Sequence, residues 1–214
     1  MNSRDSILAR IRARQGKPAA PSAAEREAVR AHIAAHPQSA RPGADWDPVA
    51  RFREQALRLS STVAEVESLA SVPAAVSRYL GEHRIARRAV CWEEFAALDW
   101  TGAGLEIAVR AARDGDLVGI TGAFCAIAET GTLMTVSGER TPASVSLLPE
   151  THIAVVRASR IVRAMEEAWQ LLRDEMGGPP RAVNFISGPS RTADIEQTVT
   201  LGAHGPYRVH IIVI

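Results

Sequence analysis

Three short segments hold residue types that can bind an anion or move a proton. The first has the sequence Gly-Pro-Ser-Arg-Thr-Ala-Asp-Ile-Glu and runs from Gly188 to Glu196. Gly188 permits close backbone approach, and Arg191 offers a planar fork of donors that suits a carboxylate or phosphate. Ser190 or Thr192 can cap a following helix, whose free amide groups also favour an anion. The segment predicts an anion-binding strand-to-helix turn, although a capped helix without a ligand would show the same pattern.

Carboxylates accompany this turn and a second segment. Asp194 falls in the first turn of the predicted helix, where the helix dipole favours negative charge, and it is a candidate catalytic residue. The second segment, Ala-Ile-Ala-Glu-Thr-Gly-Thr at 126–132, places Glu129 among small and apolar residues. A buried carboxylate needs partners, so Glu129 either pairs with an arginine or backbone amides or acts as an acid or base. The candidate substrate-binding residues beside it are Thr130, Gly131 and Thr132.

The third segment is Gly-Ala-His-Gly-Pro at 202–206. Small neighbours leave His204 with little side-chain packing in the sequence, so catalysis, ligand binding and simple exposure all stay open. His152 and His210 lie in apolar runs and are interpreted as structural. No two histidines have the spacing of metal ligands, and we predict no metal site.

Helical periodicity predicts the elements that lie between these segments. One helix begins at Asp47-Pro48, where aspartate caps and proline occupies the first turn. A second begins near Ser71 and a third is capped by Ser159. The first is expected to bury Phe52, Ala56, Leu59 and Val63, and the third Ile161, Met165, Trp169 and Leu172. A short helix is also expected from Thr192 to Leu201.

Apolar runs predict strands that alternate with these helices. The predicted strands cover residues 89–92, 105–109, 117–120, 132–136, 152–156, 183–186 and 208–214. Such alternation is typical of an α/β/α sandwich with a largely parallel sheet and right-handed crossovers. Ligands of such sheets bind beyond the carboxyl ends of the strands, so the loop after Ile186 is expected at that edge. Residues 1–45 are predicted to be a helical arm or linker, and residues 46–214 the α/β domain.

Composition excludes several classes of function. The net charge of +1 does not suggest a nucleic-acid partner, and no apolar run is long enough to span a membrane. The amino terminus lacks the apolar core of a signal peptide, so the cytoplasm is expected. Lys17 is the only lysine, which argues against imine chemistry, and Cys91 and Cys125 are too few for an iron–sulfur cluster.

In their order along the chain, the motifs at 126–132, 147–153, 188–196 and 202–206 resemble the LUD-domain family, specifically its small lactate-utilisation proteins of type C. The resemblance extends from about residue 48 to the last residue. Ala203 stands where that family usually has valine, a small change. The resemblance implies a Rossmann-like α/β/α fold, similar to that of sugar-phosphate isomerases and coenzyme A transferases.

The resemblance also implies a subunit, accessory or substrate-binding, of a system that oxidises L-lactate to pyruvate. Its expected partners are iron–sulfur lactate-utilisation proteins of types A and B, and no cofactor is expected on this chain. Arg191 would bind a small carboxylate or phosphate, and Glu129 or His204 would act as general base. Two alternatives stay open: an independent enzyme acting on a phosphorylated or coenzyme A-linked substrate, and a structural scaffold that docks through the arm.

Overall fold

The computed structural model describes residues 3–18, 20–192 and 200–214. It divides the chain into two units, Met1–Gly43 and Ala44–Ile214. The first unit contains helices α1 (Ser3–Arg14) and α2 (Ala23–Ala35), neither of which buries a residue. Helix α2 was not predicted from the sequence, although Ser22 and Glu25 form the reciprocal capping box that marks a helix start.

The second unit alternates helices and strands. Its helices are α3 (Pro48–Arg58), α4 (Val72–Glu82), α5 (Ser144–Leu147) and α6 (Met165–Met176). Its first six strands are β1 (Thr62–Glu65), β2 (Arg88–Cys91), β3 (Glu106–Val109), β4 (Val118–Gly122), β5 (Cys125–Ile127) and β6 (Thr132–Val136). The remaining strands are β7 (Thr151–Val156), β8 (Ile161–Val162), β9 (Val183–Ile186), β10 (Arg191–Thr192), β11 (Thr200–Leu201) and β12 (Arg208–Val213).

Six of these strands form one sheet in the order β1-β12-β7-β4-β2-β3, and every neighbouring pair is parallel. All six residues of β7 are buried, as expected of a central strand covered on both faces. Helix α4 packs on one face of the sheet through Val76 and Leu80, and α3 packs on the other through Phe52 and Ala56. The α/β/α architecture predicted from the sequence is confirmed.

Four strands form a second sheet in the order β8-β5-β6-β9. Strand β6 pairs antiparallel with β5 and with β9, and α6 packs against this sheet through Ala168 and Leu172. The expectation that β6 and β9 belong to the parallel sheet was wrong. The chain from 125 to 136 turns back at Gly131, whose φ of 68° makes a tight hairpin possible.

Three helix predictions need correction. Helix α3 ends at Arg58 and Ser60 has a φ of 66°, so Val63 lies in β1 and not on the helix. The third helix begins at Met165, because Ile161 pairs in β8 with Ala126. The expected helix over 192–201 is wrong at both ends, since β10 pairs antiparallel with β11.

Asp194 lies in residues 193–199, outside the described part of the chain. Within the described residues, no helix has both the length and the apolar character needed to cross a membrane.

Candidate functional site

The three segments singled out by sequence gather around the carboxyl end of α3. Gly131 lies against Gln55 and Ala56, and Gly188 lies against Leu59. These contacts bring the loop that follows β9 and the β5–β6 turn to the same helix end.

The third segment, at 202–206, contacts the loop that follows Gly188. Gly205 approaches the side chain of Ser190, and the Arg191 guanidinium donates a hydrogen bond to the Ser60 hydroxyl. Ser60 directly follows the end of α3 at Leu59. The segments that begin at residues 126, 188 and 202 therefore meet near the end of α3.

The close approach to α3 requires glycine at two positions. Gly131 has a φ of 68°, and a Cβ there would lie 2.5 Å from the backbone nitrogen of Ala56. Gly188 has a φ of 83°, and a Cβ there would overlap the carbonyl oxygen of Leu59. Both residues combine a left-handed backbone with a contact that leaves no room for a side chain.

Three hydroxyl groups form a chain beside these glycines. The Thr130 hydroxyl donates to that of Thr132 at 2.8 Å, and Thr132 and Ser187 share a second hydrogen bond at 2.7 Å. Thr132 is buried, whereas Thr130 and Ser187 are exposed. We call Ser60, Thr130, Thr132, Ser187 and Arg191 the arginine–hydroxyl cluster.

Arg191 supplies the positive charge of this cluster. Its side chain is exposed, and one of its five N–H groups donates to Ser60. The remaining donors can form the paired hydrogen bonds with which a guanidinium holds a carboxylate or phosphate.

The expected anion site at a helix amino terminus is not present at Ser190–Thr192. The N–H of Ser190 donates to the carbonyl of Pro206 at 2.9 Å, and the Ser190 carbonyl accepts from Gly202 at 3.0 Å. Arg191 and Thr192 then continue in β10. The Ser190 amide therefore links two loops and is not available to an anion. Within Ser190–Thr192, the Arg191 side chain is the group that can bind one.

The cluster also lies at the opposite edge of the parallel sheet from the one expected. Pro206, the partner of Ser190, precedes the start of β12 by two residues, and Ser60, the partner of Arg191, precedes the start of β1 by two. The two strands run parallel, so both contacts lie at the amino edge. The loop after β9 is displaced there because β9 belongs to the second sheet.

Glu129 and His204 occupy turns next to the cluster. Glu129 is half-buried and its N–H donates to the carbonyl of Arg163 at 3.0 Å, while His204 is exposed between Gly202 and Pro206. Neither side chain forms a hydrogen bond or ion pair with another described residue, and the two do not contact each other by such a bond. Their catalytic roles stay predictions.

The two histidines in strands are core residues. His152 is fully buried and its Nε2 lies 2.7 Å from the Thr121 hydroxyl. His210 Nδ1 lies 2.8 Å from the Thr62 hydroxyl, and its ring stacks on Tyr79 at 4.0 Å. Burial lowers the pKa of each imidazole to about 4, which keeps both neutral at physiological pH.

The comparison with protein families decides the identity of the fold. Residues 49–214 match the model of the LUD domain. The chain belongs to the LUD-domain family. Because the match covers both sheets, it includes every element that forms the arginine–hydroxyl cluster.

Individual relatives agree with this assignment of the LUD domain. A protein of Exiguobacterium sp. named Lactate utilization protein C is 34% identical over 180 residues, which cover 76% of each chain. A protein of the same name from Bacillus subtilis is 40% identical over 100 residues, 45% of this chain and 42% of its own. A crystal structure of a DUF162 family protein from Deinococcus radiodurans superposes with a TM-score of 0.61 and 25% identity, covering 80% of this chain and 99% of that one.

The polar residues at the carboxyl edge of this LUD domain were not among the site residues predicted from the sequence. Glu94, Arg157 and Arg160 line a cavity there, together with Gly122 at the end of β4. The signal was available in the sequence. Arg157 directly follows the predicted strand at 152–156, and Glu94 follows the strand at 89–92 by two residues. Because ligands of parallel sheets bind beyond the carboxyl ends of the strands, both residues could have been predicted as candidate ligand-binding residues.

Proposed function

We propose that this chain takes part in lactate utilisation as a subunit that binds a small carboxylate and depends on partner proteins for electron transfer. Membership of the LUD-domain family and the name of its relatives, Lactate utilization protein C, support participation in lactate utilisation. The observation that carries the binding role is the arginine–hydroxyl cluster, in which an exposed guanidinium and a chain of hydroxyl groups both belong to loops that pack at the carboxyl end of α3.

The chemistry of lactate assigns a task to each part of the cluster. Arg191 pairs with the carboxylate, and the Ser187 hydroxyl is the donor assigned to its second oxygen, because Thr130 already donates its proton to Thr132 whereas Ser187 can accept from Thr132 and keep its own proton for the ligand. Glu129 or His204 takes the proton of the lactate hydroxyl as general base. Asp194 is a further candidate acid or base from the sequence.

Oxidation of lactate to pyruvate removes two electrons and two protons, and the second proton, which comes from Cα, leaves to solvent as the electrons pass on. Hydroxyl, carboxylate and guanidinium groups cannot accept those electrons. Cys91 and Cys125 are buried thiols, one in each sheet, and iron–sulfur clusters usually take four cysteines. We therefore assign the electron acceptors to iron–sulfur partner proteins of types A and B.

Isothermal titration of the full chain with L-lactate tests the binding role. Arg191→Gln should weaken lactate binding by about tenfold or more, because a hydrogen bond to a charged group contributes about 1.5–3 kcal/mol. The matched control is Arg181→Gln, which removes another exposed arginine that forms no hydrogen bond with a described residue. No heat with the unaltered chain, or equal affinity in both variants, would refute the proposal.

A scaffold role for the arm is the second candidate. Four large apolar side chains on α1 and α2 are exposed by 46–63%: Ile7, Ile11, Val29 and Ile33. Exposed apolar residues at helical spacing are typical of a surface that docks on another protein. Removal of residues 1–43 should abolish association with the iron–sulfur partners and leave lactate binding intact; unchanged association would exclude this role.

A further inference from the structure

A cavity of about 380 Å³ lies at the carboxyl edge of the six-stranded sheet. Three of its walls come from the ends of parallel strands: Gly122 of β4, Arg157 just after β7, and Ile214 just after β12. Ligand pockets in proteins usually have volumes of about 300–1,000 Å³, so this cavity suits a small molecule. It is separate from the arginine–hydroxyl cluster, which lies at the amino edge.

The strand order places this cavity where the sheet changes direction. From β2 the chain adds β3 on one side, and then adds β4, β7 and β12 in succession on the other. The switch point therefore falls between β2 and β4. Glu94 and Phe95, which follow β2, line the cavity together with Gly122 of β4. Open parallel sheets bind ligands in the crevice at this position.

Glu94 is positioned as the acid of the cavity. Its carboxylate lies so close to Gly122 that a Cβ at that position would overlap it. Desolvation by the surrounding walls raises the pKa of Glu94, while the Gly122 amide and Arg157 act in the opposite direction. Glu93, the neighbouring carboxylate, is paired with Arg140 at 3.1 Å. Burial therefore favours the protonated form of Glu94 more than in an ordinary glutamate, and in that form the carboxyl can donate a hydrogen bond into the cavity.

The two arginines of the cavity have different roles. Arg160 already bonds to other residues of the protein. Its guanidinium pairs with Glu175 at 2.5 and 3.0 Å, donates to the Phe124 carbonyl at 2.8 Å and lies over the Phe124 ring. Arg157 is exposed and forms no hydrogen bond with another described residue. The Arg157 guanidinium is therefore available to bind a ligand.

We propose that this carboxyl-edge cavity is a second ligand site, which binds a short 2-oxo acid with its carboxylate on Arg157 and its keto oxygen on the Glu94 carboxyl. One available guanidinium matches one carboxylate. A protonated carboxyl donates to a keto oxygen, which is an acceptor only. Phe95, Val155 and Ile214 supply an apolar wall for a short carbon chain. The site does not depend on the proposed role of Arg191.

Two-dimensional proton–nitrogen NMR of the full chain can localise binding at this site. Pyruvate is titrated and the Gly122 amide is followed, because that group contacts Glu94. Arg157→Gln should weaken the pyruvate affinity read at Gly122 by about tenfold or more, whereas Arg181→Gln, which removes an exposed arginine outside the cavity, should leave it unchanged. Acetate, which lacks the keto oxygen, should bind about threefold to tenfold more weakly than pyruvate.

The pH profile tests the part played by Glu94. The charged groups around it are Arg157, Arg160 and Glu175, with the Cys91 thiol behind it. Pyruvate affinity should fall as the pH rises through the titration of Glu94, and Glu94→Gln, which keeps a donor at every pH, should abolish that dependence. No shift at Gly122, equal affinity in Arg157→Gln, or equal binding of acetate and pyruvate would overturn the proposal. A pH dependence that survives in Glu94→Gln would equally do so.

Discussion

Replacement of Gly131 by alanine tests whether contact with α3 fixes the β5–β6 turn. Gly131 has a φ of 68°, and an alanine Cβ would lie 2.5 Å from the Ala56 nitrogen and 2.6 Å from the Gln55 carbonyl carbon. Both neighbours are backbone atoms of α3, so neither can move aside by changing a rotamer. The substitution must displace the turn or the helix.

The expected loss is the sum of two effects. A non-glycine residue in the left-handed region costs roughly 1–2 kcal/mol, and overpacking of a well-packed interface costs about 1–3 kcal/mol more. The free energy of unfolding should therefore fall by about 2–5 kcal/mol. In a domain of this size, each 1 kcal/mol corresponds to a change in Tm of roughly 2–4 °C.

Gly177→Ala is the matched control for this experiment. Gly177 has a nearly identical φ of 72°, but no atom lies within 4 Å of the position of its Cβ. The control should lose only the backbone contribution, roughly 1–2 kcal/mol. Urea unfolding followed by tryptophan fluorescence measures both values. Equal losses in the two variants would show that the turn does not depend on α3 and would refute the reasoning.

Three further predictions follow from buried and paired groups. Burial raises the pKa of the Cys91 and Cys125 thiols to about 11 and about 12, so neither should react with a thiol reagent in the native protein and both should react in urea; rapid native labelling would contradict their burial. Because burial lowers the pKa of His152 from 6.5 to about 4, folding favours the neutral form, and about 3 kcal/mol of stability present above pH 6.5 should be lost as the pH falls towards 4. NMR titration of the His152 ring should give a midpoint near 4; a midpoint near 6.5 would exclude the effect. Arg160 lowers the pKa of Glu175, so the ion pair should stabilise the fold at pH values above the ordinary carboxyl pKa. This stabilisation should be lost as the pH falls through the lowered pKa of Glu175. Glu175→Gln should therefore flatten this part of a curve of Tm against pH.

Five of the six strands of the parallel sheet were predicted from the sequence because local patterns mark them, whereas β1 was assigned to the preceding helix through Val63. The run at 152–156 is almost wholly apolar and became the central strand, and Asp47-Pro48 capped α3 as expected. Such local patterns do not reveal which strands pair with one another in a sheet. The run at 183–186 looks the same whether it joins a parallel sheet or pairs antiparallel with β6, and it does the latter.

That one pairing explains the errors in the candidate site. Because β9 lies in the second sheet, the loop after it reaches the amino edge, where Ser190 bonds to Pro206 and Arg191 to Ser60. The residue types at 188–192 indicated anion chemistry, and the exposed guanidinium agrees with that interpretation. Local sequence could not reveal Ser60 as a partner, since the contact spans 131 residues.

A crystal structure of the full chain with L-lactate would test most directly whether the arginine–hydroxyl cluster binds a small carboxylate. We expect density for the lactate carboxylate within about 2.7–3.2 Å of the Arg191 guanidinium, beside the hydroxyl group of Ser187. Lactate bound elsewhere, with Arg191 still on Ser60 alone, would contradict this assignment.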